Sequence, residues 1–305
     1  MAGPIVVGTA SWTDKTLIDA GWYPADCTSA ECRLRYYASQ FPMVEVDASY
    51  YAMPSRRNAE LWVQRTSEHF VFDIKSFRLF TGHQTPPKAL PKDVRAALPS
   101  KLAEKRNVYY KDFPEDLKDE MWGRYAAAIG PLSAAGKLGV VLFQYPPWVR
   151  PDPRVFDHIV ECRDRLAGFD LAVEFRNRAW FAEDHRQETL DFLRRLNLSL
   201  VVVDEPQGFA SSVPAVSEVT GPYAVIRFHG RNTATWEAKG LSAASDRFNY
   251  EYSRSELEPW AETVCSLAER AVIGTHVVFN TNYGRQGPDN AMVLAELLGT
   301  GLGAE

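Results

Sequence analysis

The chain has 305 residues, a formal net charge of −5, and 46% hydrophobic and 24% charged residues, values ordinary for a soluble globular protein. The acidic balance speaks against a broad basic footprint for nucleic acid, and no apolar run approaches the ~20 residues of a membrane span. The opening MAGPIVVG lacks a charged n-region and a long apolar stretch, so no signal peptide is read and a cytoplasmic location is expected. Cys27, Cys32, Cys162 and Cys265 are sparse and lack CxxC spacing, so a reduced setting is expected of them, with ordinary burial of Cys27 and Cys32 in the first loop.

Taken in chain order, short apolar runs each end in a polar or charged residue. They are IVVGTAS (5–11), MVEVDAS (43–49), VFDIKS (71–76), LGVVLFQ (138–144), LAVEFR (171–176), LSLVVVD (198–204), YAVIRFH (223–229) and HVVFN (276–280). Each is strand-sized and rich in β-branched or aromatic residues, which suit a pleated, buried surface. Between the first two, Leu34, Tyr37 and Phe41 fall at helical spacing and predict a helix over 31–41. Ser55 is the N-cap of a second predicted helix running to about 68. The longest interval, 77–137, holds His83, the turn-prone TPP at 85–87 and two amphipathic stretches near 92–106 and 115–135. It reads as an enlarged loop after the third strand plus its helix, with a solvated charged surface. Further helices are predicted over 153–167, 184–196 and 254–271, and one follows Pro288. Between Asp204 and Tyr223 the sequence EPQGFASSVPAVSEVTGP predicts a loop where a helix would be due. Repeated βα units over this length predict one (β/α)₈ TIM barrel spanning 1–305 as a single domain, with chemistry at the C-terminal strand ends.

Parity within the runs sharpens that prediction, because successive strand side chains point to opposite faces. Glu45 and Asp47 oppose Val44 and Val46; Asp73 and Lys75 oppose Phe72 and Ile74. Glu174 and Arg176 oppose Val173 and Phe175, and Arg227 and His229 oppose Ile226 and Phe228. One face is apolar throughout and the other turns polar toward the strand end. An open doubly wound sheet needs both faces apolar on its central strands, whereas a closed barrel is wet only at its interior mouth.

Closure gathers Glu45, Asp47, Asp73, Lys75, Gln144, Glu174, Arg176, Asp204, Arg227, His229 and Asn280 in one basin. Unpaired buried charges are costly, so most must pair with one another or meet a ligand. Asp47 and Asp73, lower in the barrel, read as salt-bridged plugs. Glu174, Arg176, Arg227 and His229, at the strand ends, read as functional. Paired carboxylates suit acid–base chemistry. Lys75 could act as a Schiff-base nucleophile, but Asp73 nearby opposes the pKa depression this needs. Arg176 and Arg227 carry the planar fork that clamps carboxylate or phosphate. The donor set Glu45, Glu174, Asp204, His83 and His229 could take a divalent metal, although no compact signature such as HExxH is present. No cofactor is predicted: there is no Walker loop, no GxGxxG after the first strand and no GxSxG elbow. Trp12, Tyr50, Tyr51, Tyr145, Trp148, Trp180, Phe181 and Trp236 follow strand ends, as aromatic walls for a sugar or nucleobase face would.

The segments VGTASWTD with GWYP (7–14, 21–24), VEVDASYYAMPS (44–55), FDIKSFRLFTGH (72–83), LFQYPPW (142–148), VEFRNRAW (173–180), AVIRFHGRN (224–232) and FNTNYGRQGPDNA (279–291), in this order, resemble the YecE-like family, domain of unknown function 72. The resemblance covers essentially the whole chain. It implies a TIM barrel and a polar signature that falls here on Glu45, Lys75, His83, Gln144, Glu174, Arg176, Asp204, Arg227, His229 and Asn280, and it names no reaction. Family members often carry a second asparagine and a histidine after the last strand; Thr281, Asn282 and Tyr283 stand here instead.

Three functions are compatible with these residues. In the first, an enzyme cleaves or isomerises a small polar substrate, anionic or sugar-like. There Arg176 and Arg227 bind the anion, Glu174 and His229 exchange protons, and Lys75 and Gln144 polarise an oxygen; Glu45 and Asp204 complete the catalytic set. His83, Asn280, Trp12 and Tyr50 are further substrate contacts. In the second, a metal-dependent hydrolase or isomerase, of phosphodiesters for example, uses Glu45, Glu174, Asp204 and His229. In the third, the chain is a non-catalytic module binding a nucleotide, nucleic acid or protein.

Overall fold

A computed structural model describes residues 3–241 and 244–301. Eight parallel strands close on themselves in sequence order: β1 (Ile5–Ala10), β2 (Met43–Val46), β3 (Val71–Lys75), β4 (Leu138–Gln144), β5 (Leu171–Glu174), β6 (Ser199–Asp204), β7 (Tyr223–Phe228) and β8 (Gly274–Phe279). The last pairs with the first, Val6 opposite His276 and Gly8 opposite Val278. Among the described residues eleven α-helices accompany them. They are α1 (Lys15–Asp19), α2 (Ala30–Gln40), α3 (Ala48–Tyr51), α4 (Arg56–Arg65), α5 (Lys92–Ala97), α6 (Ser100–Ala103), α7 (Glu115–Ala134), α8 (Pro153–Arg165), α9 (Glu183–Arg195), α10 (Arg254–Ala268) and α11 (Gln286–Leu298).

Local chemistry sets the helix starts. Ser29 and Ser55 accept the backbone N–H of Cys32 and Asn58. Asp152 accepts that of Arg154, with Pro153 in the first helical position, and Ser253 and Glu256 form a reciprocal capping box. Such side chains satisfy N–H groups that a helix start leaves unpaired. The segment between β6 and β7 carries no helix, as its Pro-, Ser- and Val-rich sequence predicts, and the enlarged unit after β3 holds α5, α6 and α7.

The outward strand faces pack beneath the helices: Val44, Val46, Phe72, Ile74, Val173, Phe175, Ile226, Phe228 and Phe279 are buried in one continuous apolar core. Inside the barrel, Ala10, Met43 and Val278 form a smaller apolar cluster. Near it lies a polar layer. Asp73 accepts the Val140 backbone N–H at 2.9 Å and lies 3.0 Å from His276 Nδ1. Gly139 makes room for this pair, since a Cβ there would sit 2.3 Å from Asp73 Oδ1 and 2.6 Å from His276 Cε1.

The cysteines depart from the reduced-thiol expectation. Cys27 and Cys32 form a disulfide, while Cys162 and Cys265 are free. The turn held by Cys27 N–H on Pro24 O runs directly into the Ser29 cap. It leaves the two Cα atoms 5.3 Å apart, within the span a disulfide bridges. Among the described residues no helix is long and apolar enough to cross a membrane.

Candidate active site at the barrel mouth

The polar strand ends build two connected shells. The inner one centres on Arg227, whose side chain is fully buried. Its Nη2 donates to Glu45 Oε1 at 2.6 Å and its Nη1 to Glu174 Oε2. The other Glu174 oxygen accepts from Gln144 Nε2 at 2.7 Å, from His229 Nε2 at 3.0 Å and from Arg176 Nη1 at 3.3 Å. Asn280 Nδ2 lies 3.0 Å from His229 Nδ1. With the amide donating to Nδ1, the imidazole is neutral and its proton sits on Nε2, the tautomer Glu174 requires.

Charge states follow from the same contacts. Burial opposes ionisation of Glu174, yet Arg227, His229 and Arg176 together hold its carboxyl well below the ordinary range. Burial lowers His229 to about 3, against the pull of Glu174. Burial pushes Glu45 up to about 7, with Arg227 and Lys75 opposing it. Four donors on one carboxylate and two occupied ring nitrogens make this shell a closed network.

The outer shell is a cleft of about 600 Å³ above it. Lys75, Arg176, Lys239 and Arg247 line it, and Asp47 is the one carboxylate among the described lining residues. Gln144, Asn280 and Asn282 add amides, and Tyr50, Tyr51 and Phe248 add rings. Lys75 Nζ donates to Asp47 Oδ1 at 2.7 Å and lies 4.9 Å from the centre of the Tyr50 ring. Burial would raise Asp47, but Lys75 and Arg227 outweigh it and its carboxyl lies below the ordinary value. The Arg176 guanidinium stacks 4.7 Å over Trp236, with Nε 3.4 Å from Glu205 Oε2.

Of the residues singled out from sequence, Glu45, Lys75, Gln144, Glu174, Arg176, Arg227, His229 and Asn280 converge, and Tyr50 joins them in the cleft wall. Several placements differ from expectation. Arg227, read as an anion clamp, has both of its terminal nitrogens bonded to carboxylates of the chain, Glu174 and Glu45. Asp204 turns to Arg231, which donates to it at 2.9 Å, outside the inner network. Trp12 packs edge-on against Trp62 at 5.7 Å between barrel and helices. His83 sits at the rim, its Nδ1 2.8 Å from Thr81 Oγ1 and its ring against Tyr50 and Trp148. Burial and the charges of Lys75, Arg78 and Arg176 lower it to about 3. Its two ring partners line different cavities: Tyr50 the mouth cleft, and Trp148 a larger groove of about 1160 Å³ between the enlarged unit after β3 and the connection after β4.

Asp47, read as a plug, faces the cleft. Glu205 and Lys239, on loops, and Arg247, on a short 3-10 turn, escaped the sequence reading because they lie beyond any strand alternation. For Glu205 the one available signal was its adjacency to Asp204. Among the described residues no three His, Cys, Asp or Glu side chains gather as a metal-binding group. Of the five donors read for a metal, Glu45, Glu174, Asp204 and His229 are engaged by Arg227, by Arg231 or by one another, and His83 meets Thr81.

A closed ring of eight parallel strands, with one polar, cation-walled mouth at their C-terminal ends, defines a TIM-barrel protein. The model of the family described as protein of unknown function DUF72 matches residues 6–304, and the chain belongs to that family. The UPF0759 protein YunF of Bacillus subtilis (strain 168) is 33% identical over 297 residues, covering 96% of this chain and 94% of that protein. Two solved structures of DUF72 family proteins share the fold. EF0366 of Enterococcus faecalis V583 has a TM-score of 0.77 and 26% identity, covering 99% of this chain and 98% of that one. TM1631 of Thermotoga maritima MSB8 has 0.73 and 28%, covering 97% and 99%.

Proposed function

We propose that the chain is an enzyme that cleaves or isomerises a small, anionic, hydroxyl-bearing substrate held in the mouth cleft. The carrying observation is the imbalance of the wall: among the described lining residues, Lys75, Arg176, Lys239 and Arg247 stand against one carboxylate, Asp47, around a concavity of about 600 Å³. Gathered cations in a confined, partly dry space repel one another until an anion enters.

In this reading Arg176 takes the anionic group through its planar fork, with Lys239 and Arg247 adding charge from the loop between β7 and α10. Gln144 and Asn280 hydrogen-bond a hydroxyl or carbonyl oxygen. Proton exchange belongs to the Lys75–Asp47 pair, which meets the cleft, rather than to Glu174 and His229, which are sealed beneath it. The inner network keeps Gln144, Arg176 and Asn280 in place by fixing the carboxylate and imidazole that they bind.

A thermal-shift series with inorganic phosphate, glucose 6-phosphate and glucose tests binding. The two anions are expected to raise the melting temperature and glucose is not. NMR of mixtures of phosphorylated and carboxylated sugars then follows turnover, which Lys75→Met should slow about 10²-fold or more. Stabilisation by glucose alone, or full turnover by Lys75→Met, refutes the reading.

A further inference from the structure

Glu205, Ser211 and Trp236 do not line the cleft, yet Glu205 and Trp236 hold Arg176, which does, and Ser211 holds Trp236. Residues 205–222 join β6 to β7 without the helix that other barrel units place there. The side chain of Glu205, at the start of this segment, is completely buried. Its Oε1 accepts the Val213 backbone N–H at 2.7 Å. The Gln207 amide donates to the carbonyls of both Glu205 (3.0 Å) and Val213 (3.1 Å), so the segment folds back on itself. Glu205 Oε2 then faces Arg176 Nε at 3.4 Å, and neither atom has a hydrogen-bond partner among the described residues. On the open face of the guanidinium lies Trp236, whose Nε1 donates to Ser211 Oγ at 3.1 Å, again on this segment. Arg176 is therefore held by Glu174 at Nη1, by Glu205 at Nε and by an indole on its face. Two of these three contacts trace back to the helix-free segment.

We propose that residues 205–222 are the positioning device for the cleft arginine, and that Glu205 is the positioning residue within it. This rests on the reading of Arg176 as the anion clamp. A guanidinium free to swing loses rotamer entropy when it captures a ligand, and one already held does not. Helix-free coil serves here because the Val213 N–H, which the interior of a helix would bind to its own carbonyls, stays free for Glu205. Burial pushes Glu205 up to about 7, Arg176 pulls the other way, and Glu174 and Asp204 are the nearby acids.

Two measurements separate this inference from the reading beneath it. In ¹³C-carboxyl NMR, the resonance that disappears in Glu205→Gln should titrate near neutrality in the parent protein. It should titrate at higher pH in Arg176→Gln, because the cation that favours the ionised form is gone. An unmoved titration overturns the coupling. Calorimetry with inorganic phosphate at pH 8 is the second measurement. Glu205→Gln still accepts the Val213 N–H, so it should keep its melting temperature while phosphate binding weakens about tenfold, a difference of 1.4 kcal/mol. Ser211→Ala should weaken it about two- to threefold by freeing Trp236. Removing a negative charge near the cleft would by itself tighten anion binding, so equal or tighter binding by Glu205→Gln sinks the positioning role. If instead the titration moves but Arg176→Gln binds phosphate like the parent, the clamp reading of the cleft fails and the Glu205–Arg176 contact stands.

Discussion

Two layers of the barrel bury a carboxylate against an imidazole, and only one leads anywhere. Near the inner apolar cluster, Asp73 meets His276 at 3.0 Å and the Val140 N–H at 2.9 Å. Tyr223 covers the imidazole at 4.7 Å, and none of the three lines a described cleft. At the mouth, Glu174 meets His229 at the same 3.0 Å. There the surrounding donors Gln144, Arg176 and Asn280 are themselves cleft residues. The pairing of residue types is thus no mark of a site. What distinguishes the upper layer is that its second ring of partners is exposed to a cavity, so that a change in the buried ring is felt by whatever the cavity holds.

The largest expected effect comes from breaking the upper layer at its centre. Arg227→Met leaves Glu45 and Glu174 buried without their shared cation and should cost about 3–5 kcal/mol, seen as a lower urea midpoint. A loss under about 1 kcal/mol would mean the network is far more relaxed than its distances imply. In the lower layer, Asp73→Asn keeps an acceptor for Val140 but loses the charge beside His276. It should cost about 1–3 kcal/mol and leave anion binding untouched. Altered phosphate binding in that variant would erase the distinction between the layers.

The next effect is a slope. His229 lies at about 3 in the fold against 6.5 in the open chain. Between those values the unfolded state binds the extra proton, and its stabilising contribution, full above 6.5, is lost as pH falls. Glu45 is raised from 4.5 to about 7; there the folded state binds the extra proton, and its contribution, full below 4.5, is lost as pH rises. From pH 5 to 6 the two oppose each other. Glu45→Gln removes one of them, so its unfolding free energy should climb with pH more steeply than the parent's by about 1.4 kcal/mol per pH unit. Parallel curves would place the Glu45 titration elsewhere.

How much of this was legible beforehand depended on whether a residue belongs to a strand. Strand alternation marks Glu45, Glu174, Arg227 and His229 as inward because period-2 geometry leaves no choice once one face is apolar. It does not tell how deep a side chain ends or which partner claims it. That is why Arg227 reads as a clamp until its bonds to two carboxylates are seen, and why Asp204 reads as catalytic until Arg231 takes it. Trp12, two residues past β1, lies beyond the reach of parity and turns to Trp62. Glu205 sits on coil and Arg247 on a short 3-10 turn (Ala244–Phe248), segments whose path is set by side-chain contacts eight or nine residues away, on Val213 N–H and Ala238 O. The Cys27–Cys32 pairing likewise depends on a local turn rather than on a spacing motif.

The smallest stability effect should accompany the largest loss of binding. Arg176 is 14% exposed, and its bond to Glu174 is the longest of the four on that carboxylate at 3.3 Å. Arg176→Gln leaves Glu174 with Arg227, His229 and Gln144. Glu205, deprived of its cation, can take up a proton near neutrality and stay buried uncharged. The folding penalty should therefore stay within about 1 kcal/mol, while stabilisation by inorganic phosphate disappears from the thermal-shift assay. A ligand site and a structural plug respond in opposite ways to this substitution: the plug would lose stability and nothing else. If Arg176→Gln unfolds as readily as Arg227→Met, the outer shell is as structural as the inner one, and the functional boundary drawn between them is wrong.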